Sequence, residues 1–374
     1  MPRINTRGRK GQLGIHVVVI LRSHFRCSLP VSTMFVLLLT LCTVLPAGAA
    51  PRPIRSSHAW PTARPGAVPN GTSCPFSARP TTRVTTIPVG SCPIGVEVNP
   101  PIHRAYVANS GDNSVAVVNT TTQRVITTIP VGVAPQMVAV DHQTNRVYVA
   151  NESSASVSVL NGTTNSVLAT IPVNAGPIDI AVNEGTHRAY VTTAFSNTLT
   201  VLNTTTNSVV TNIPVGAFPL GVALNRAAHE AYVTNVDDGT VSVVDTTTNT
   251  VSGSISVGLG PVLVDVFPAI HRAYVTNQGD NTVSVINTRT HNVVSIILVG
   301  LNPVDVKVNP DNQRAYVTNQ FDGTVSVINT RTNTVVATVT VGLSPIGIAV
   351  KPEEPDRVYT ANEYSNTVSV ITGQ

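Results

Sequence analysis

The sequence predicts an all-β fold: a seven-bladed β-propeller of four-stranded antiparallel blades, its ring closed by an N-terminal strand that completes the last blade. Three observations carry this. Tyrosines recur at Tyr106, Tyr148, Tyr190, Tyr232, Tyr274, Tyr316 and Tyr359, a period of 42 residues broken once by 43. A fixed period of this size marks a repeat architecture. Within each period, short alternating segments are punctuated by Asn, Asp and Gly turns, the pattern of an antiparallel meander. The array is also out of phase at its two ends.

The unit from Gly300 to Gly342 shows the four elements. Pro303–Val308 alternates as a first strand, Arg314–Thr318 forms a second, Thr324–Asn329 a third and Thr334–Val341 a fourth. The turns between them are Asn309-Pro310-Asp311-Asn312, Asn319-Gln320-Phe321-Asp322-Gly323 and Thr330-Arg331-Thr332-Asn333. One such sheet cannot cover both its faces; seven set radially cover one another. Pro130, Pro172 and Pro214 fall in fourth strands. Proline has no N–H to give a ladder, so the fourth strand belongs at the outer edge, where proline also discourages edge-to-edge association. The chain stops on a third strand, Val368–Ile371, and the missing fourth appears at the other end as Thr82–Gly90.

Composition agrees with strands and turns. Charged residues are only 11% of the chain, well below the roughly 25% of ordinary globular domains. Residues 1–50 hold six basic side chains and no acid, so the net charge of +4 belongs to the leader, and the remainder is slightly acidic. Nucleic-acid binding needs a basic surface on the folded part, and is not expected.

Residues 1–49 read as a secretory signal: basic residues, an apolar run from Met34 to Leu45, then Ala47-Gly48-Ala49 as the cleavage site. The apolar run is shorter than a membrane span, so no transmembrane segment is expected after its removal. The expected location is extracellular, cell-surface or periplasmic. Residues 50–81 are crowded with proline and read as an extended linker carrying Trp60, the only tryptophan. Cys74 and Cys92, the pair left after the leader, are a candidate disulfide stapling the linker to the first repeat. Residues 82–374 are the propeller.

Tyr-Val-Thr-Asn stands at 232–235, 274–277 and 316–319, with variants at 106–109, 148–151, 190–193 and 359–362. Pro-Val-Gly precedes first strands, and Asn-Thr-x-Thr joins third to fourth. On these residues the stretch 82–374 resembles the YVTN family of β-propeller repeat proteins. The resemblance implies an exported or surface-layer protein, in a family mostly without assigned activity. It also implies structural similarity to propellers that bind partners and to some that are lactonases or quinone dehydrogenases. None of their catalytic motifs can be placed on this sequence.

The chemistry visible in the residues is sparse. No nucleophile elbow, zinc-binding helix, Walker loop or dinucleotide glycine pattern occurs. His103, His187, His229 and His271 each precede a repeat tyrosine by three residues, so they occupy equivalent turns of different blades and are not a converging ligand set. Asp112, Asp237, Asp238, Asp280 and Asp322 lie between second and third strands and read as turn residues. On the innermost strands, one alternating set is mostly small, with Glu97, Asp179, Asp265, Asp305 and Lys307 as its polar members. These five are the candidate site, a mainly acidic channel lining that would take a cation or a small polar ligand; no catalytic residue, metal or cofactor is assigned. The expected function is an exported, non-catalytic binding or scaffold propeller, monomeric, recognising a polysaccharide or protein partner at the cell surface. The alternative is an enzyme with an axial site, lactonase-like or quinone-dehydrogenase-like.

Overall fold

A computed structural model describes residues 82–352 and 356–373. The leader and linker, with Cys74 and Trp60, lie outside these residues. Twenty-eight strands form seven sheets of four, and among the described residues the only helices are three-residue 3-10 turns. Blade 1 runs Pro93–Asn99, Arg104–Asn109, Ser114–Asn119 and Arg124–Pro130, hydrogen-bonded in chain order from the axis outward. Blades 2 to 6 repeat this plan. Blade 7 takes Pro345–Lys351, Arg357–Asn362 and Thr367–Thr372 from the C-terminal end, and its fourth strand is Arg83–Pro88, paired antiparallel from Arg83 opposite Thr372 to Pro88 opposite Thr367. The expected closure is therefore the observed one, and the prolines of the fourth strands lie exposed on the outer edge.

The repeat sequence is a set of devices for joining one blade to the next. Each tyrosine is buried between sheets. Tyr106 packs with Val115 and Val117 of its own blade against Val138, Val147 and Leu160 of blade 2, and its hydroxyl donates to the carbonyl of Gly162 at 3.1 Å. Tyr359 of blade 7 repeats the contact across the closure, onto the carbonyl of Thr120 in blade 1. The arginine two residues earlier reaches the same neighbouring turn: Arg104 to Gly162, Arg146 to Thr204 and Arg357 to Thr120.

Threonine and asparagine have separate duties. In every blade the pairing of first and second strands slips after the opening proline, leaving a bulge. In blade 5 the Thr276 hydroxyl fills it: it accepts the Leu263 N–H at 3.1 Å and donates to the Val304 carbonyl of blade 6 at 2.7 Å. Thr192, Thr234 and Thr318 do the same. Asn277 Nδ2 donates to Thr282 and Ser284 of the third strand at 3.0 and 2.9 Å, fixing the blade's own hairpin. The repeat histidines are turn residues: His103, His187, His229 and His271 adopt left-handed backbone with φ of 51–55°, and their carbonyls accept the N–H groups of Thr120, Thr204, Thr246 and Thr288.

Two outcomes test this account. A chain beginning at Thr82 should keep most of the melting temperature, whereas one beginning at Ser91 should lose it sharply or aggregate, because Thr367–Thr372 becomes an open edge. Thr276→Val keeps the shape but strands an N–H and a carbonyl, and should cost about 1–3 kcal/mol in denaturant unfolding.

Candidate functional site

The first strands line the axis, and their third and fifth residues form the alternating set that includes all five candidates. Asp179 and Asp305 occupy third positions in blades 3 and 6; Glu97, Asp265 and Lys307 occupy fifth positions in blades 1, 5 and 6. Around the ring the third positions read Gly95, Met137, Asp179, Gly221, Leu263, Asp305 and Gly347. The glycines are required by closeness: a Cβ on Gly95 would stand 2.5 Å from the Gln136 carbonyl oxygen, and one on Gly347 2.5 Å from that of Ile94.

The aspartates bridge successive inner strands. Asp179 accepts the N–H of Ile180 on one oxygen at 2.8 Å and that of Val222, in blade 4, on the other at 2.9 Å. Asp305 does the same with Val306 at 2.8 Å and Ile348, in blade 7, at 2.9 Å. Asp265 accepts Val308 of blade 6 at 2.7 Å, and Glu97 accepts Val98 of its own strand at 3.0 Å. The innermost strand of a blade is itself an edge, with N–H groups that no ladder satisfies. The carboxylates meet that need, which explains acids here without any ligand.

Lys307 is the single cation among them. Burial works against its ammonium, but Asp265, Glu97, Asp305 and Asp179 outweigh it and hold its pKa above the ordinary lysine value. Burial pushes the Asp305 carboxyl up to about 7 and Asp179 up to about 6, although Lys307 and the accepted N–H bonds oppose the shift. Asp265 is raised for the same reason. Among the described residues no three His, Cys, Asp or Glu side chains gather closely enough to hold a metal ion. Toward the end where the first strands begin, the lining turns apolar, with Ile94, Met137, Val262, Leu263, Val304 and Ile346 in one cluster.

That end of the ring has a distinct surface. It is built by the loops joining second to third strands and fourth to first strands, knitted by bonds such as Val131 N–H to Asn113 carbonyl. Asp112, Asp238, Asp280 and Asp322 serve as turn residues here, each accepting a backbone N–H of the adjoining loop at 2.5–2.7 Å. Asp237 carries a further charge in the same set of loops. Leu259, Leu301 and Leu343 stand exposed beside Phe321 and Tyr364, at 51–76% of full exposure. They are neighbours: Phe321 N–H donates to the Leu301 carbonyl and Tyr364 N–H to that of Leu343. Phe195 and Phe218 pair nearby on blades 3 and 4, with ring centroids 6.0 Å apart. Phe321 falls in a turn predicted from the sequence, whereas the leucines carry no such signal, since each simply follows a Val-Gly pair.

No protein-family model matches the chain, and no curated protein does. Many solved structures do. One is hydrazine synthase from Kuenenia stuttgartiensis, with a TM-score of 0.69 at 21% identity, over 75% of this chain and 95% of that one. The likeness is one of fold. It supports the seven-bladed propeller and carries no activity with it. Among the described residues no helix is long and apolar enough to cross a membrane.

The channel makes a pH prediction. The folded pKa values of Asp305 and Asp179, about 7 and about 6, exceed the ordinary carboxylate value of ~4. The stability linked to them is fully present below about pH 4 and is lost as the pH rises through their folded values. Melting temperature should therefore fall between pH 5 and pH 8. Lys307→Met leaves the acids without their cation, and should cost about 3–5 kcal/mol at pH 8 and much less at pH 5, where the carboxyls take up protons. Equal losses at the two pH values would contradict the electrostatic account.

Proposed function

We propose that this chain is an exported binding propeller that recognises a surface polysaccharide or a protein partner through its loop end, with the channel serving as structure. The observation that carries this is the contrast between the two candidate surfaces. Both oxygens of Asp179 and of Asp305 are occupied by backbone N–H groups, while Leu301, Phe321, Leu343 and Tyr364 are each more than half exposed. Exposed aromatic side chains on rigid loops are the usual currency of recognition. The resemblance to YVTN-family repeats supports export and a place at the cell surface, as does the order of basic, apolar and small residues in the leader.

A glycan array, with biosensor binding to whatever it or a partner screen identifies, tests this. Phe321→Ser and Tyr364→Ser should each weaken binding about tenfold or more, the equivalent of ~1.4 kcal/mol, without moving the melting temperature.

An axial enzyme is the second reading, and one observation favours it: carboxyls that titrate near neutrality are typical of catalytic acids and bases. Lactone, ester and alcohol substrates, offered with calcium or a quinone, should give no turnover above background. Robust turnover that Asp305→Asn abolishes with the fold intact would replace the binding reading with this one.

A further inference from the structure

All eleven arginines of the described residues lie toward the end opposite the loop surface, at the turns joining first to second and third to fourth strands or at the strand ends beside them. Six of them open second strands, and five of those six give the guanidinium to backbone. Arg104, Arg146 and Arg357 reach the turn between third and fourth strands of the next blade. Arg188 and Arg272 turn back onto the carbonyls of His187 and His271, at 3.2 and 3.0 Å. Arg314 of blade 6 is the exception: among the described residues its guanidinium has no hydrogen bond and no ion pair.

Topology explains the exception. The next blade is blade 7, whose third and fourth strands, Thr367–Thr372 and Arg83–Pro88, come from opposite ends of the described chain and have no turn between them. The carbonyl that Arg357 finds on Thr120 therefore has no counterpart for Arg314. The repeat tyrosine changes partner as well. The Tyr316 hydroxyl accepts Asn312 Nδ2 at 2.9 Å, where those of Tyr106, Tyr232, Tyr274 and Tyr359 donate to such a turn.

Arg314 instead lines a cavity of about 260 Å³ between two turns of blade 6, walled also by Asp311, Asn312, Gln313, Asn329 and Arg331. Arg331 stands where four other blades have Thr121, Thr163, Thr205 and Thr247. It is exposed, and its guanidinium likewise has no partner among the described residues. Gln313 meets Thr330 through its backbone carbonyl, and Asn329 gives its Oδ1 to the N–H groups of Arg331 and Thr332. The Gln313 amide and the Asn329 Nδ2 thus stay uncommitted among the described residues. Two guanidiniums beside one cavity repel each other, and each is suited to a forked bond with a carboxylate. Asp311 makes an ion pair with neither. It leaves the walls with one net positive charge, which matches a monoanion better than a phosphate dianion. The amides and Asp311 offer partners for hydroxyl groups. The volume lies below the usual range for drug-sized ligands and suits a single sugar ring. We propose that blade 6 binds a uronic-acid unit here, its carboxylate on Arg314 and Arg331 and its hydroxyls on Gln313, Asn329 and Asp311. The site lies at the end opposite the loop surface and does not depend on that surface binding anything.

Titration calorimetry of the full chain with galacturonate tests this, beside galactose, acetate and inorganic phosphate. Galacturonate should bind saturably, and about tenfold or more tightly than any of the other three. Arg314→Gln and Arg331→Thr should each weaken it about fivefold or more without moving the melting temperature, since neither guanidinium holds the fold. Phe321→Ser should leave it unchanged. Trigalacturonate separates the two sources of such a unit: tighter binding through the same arginines assigns a polymer, equal binding a free sugar acid, and either result keeps the site. The proposal fails if neither the monomer nor the trimer binds saturably, if galactose or phosphate binds as well as galacturonate, or if neither arginine variant changes the affinity. Failure here leaves the loop-end reading standing, because that reading is measured through Phe321 and Tyr364.

Discussion

The ring depends on how seven sheets meet at one axis. Each sheet must end on a strand whose inner edge has no ladder partner, and three of the seven edges approach a neighbour until a single Cβ is too much, at Gly95, Gly221 and Gly347. Unpaired N–H and carbonyl groups there cost as much as lost hydrogen bonds. The chain answers with side chains that cross from blade to blade. Threonine hydroxyls take the carbonyl side, as Thr276 does with Val304, and aspartates take the N–H side, as Asp305 does with Ile348. Inter-blade tyrosines then secure the outer radius.

The fold was legible because its signal is repeated. A single Pro, Tyr or Asn says little, but the same residue at one phase of a 42-residue period fixes strand order, edge and closure together. Strand limits differ from expectation only by a residue or two, as for Arg83–Pro88 against Thr82–Gly90. The candidate residues were legible as channel-lining positions for a similar reason: they break a pattern of small residues. What they do there was not legible. Whether Asp179 offers its oxygens to a ligand or to Val222 depends on the distance between strands in different blades, and that distance follows from the closed ring. The loop leucines carry no such signal, because exposure of Leu301 or Leu343 is a property of where the Val-Gly turn points, which sequence does not state.

The five channel residues form a nearly self-contained charge cluster. Lys307 supplies the positive charge that lets several carboxylates share a narrow space, and burial moves the remainder of the negative charge toward protonation. The arrangement is mechanical in its first effect, since Asp179, Asp265 and Asp305 each tie one inner strand to the next. Its sensitivity to pH follows from using ionisable groups for that purpose.

Closing the ring with the first strand sets an order of events in time. Arg83 and Thr372 are partners separated by 289 residues, so the first strand of the described residues waits for the last. Closing a loop of that length costs about 5 kcal/mol of chain entropy, recovered only when the final sheet forms. Until then the nascent chain is an incomplete arc with both rims unsatisfied, unable to reach its stable form however many blades have assembled.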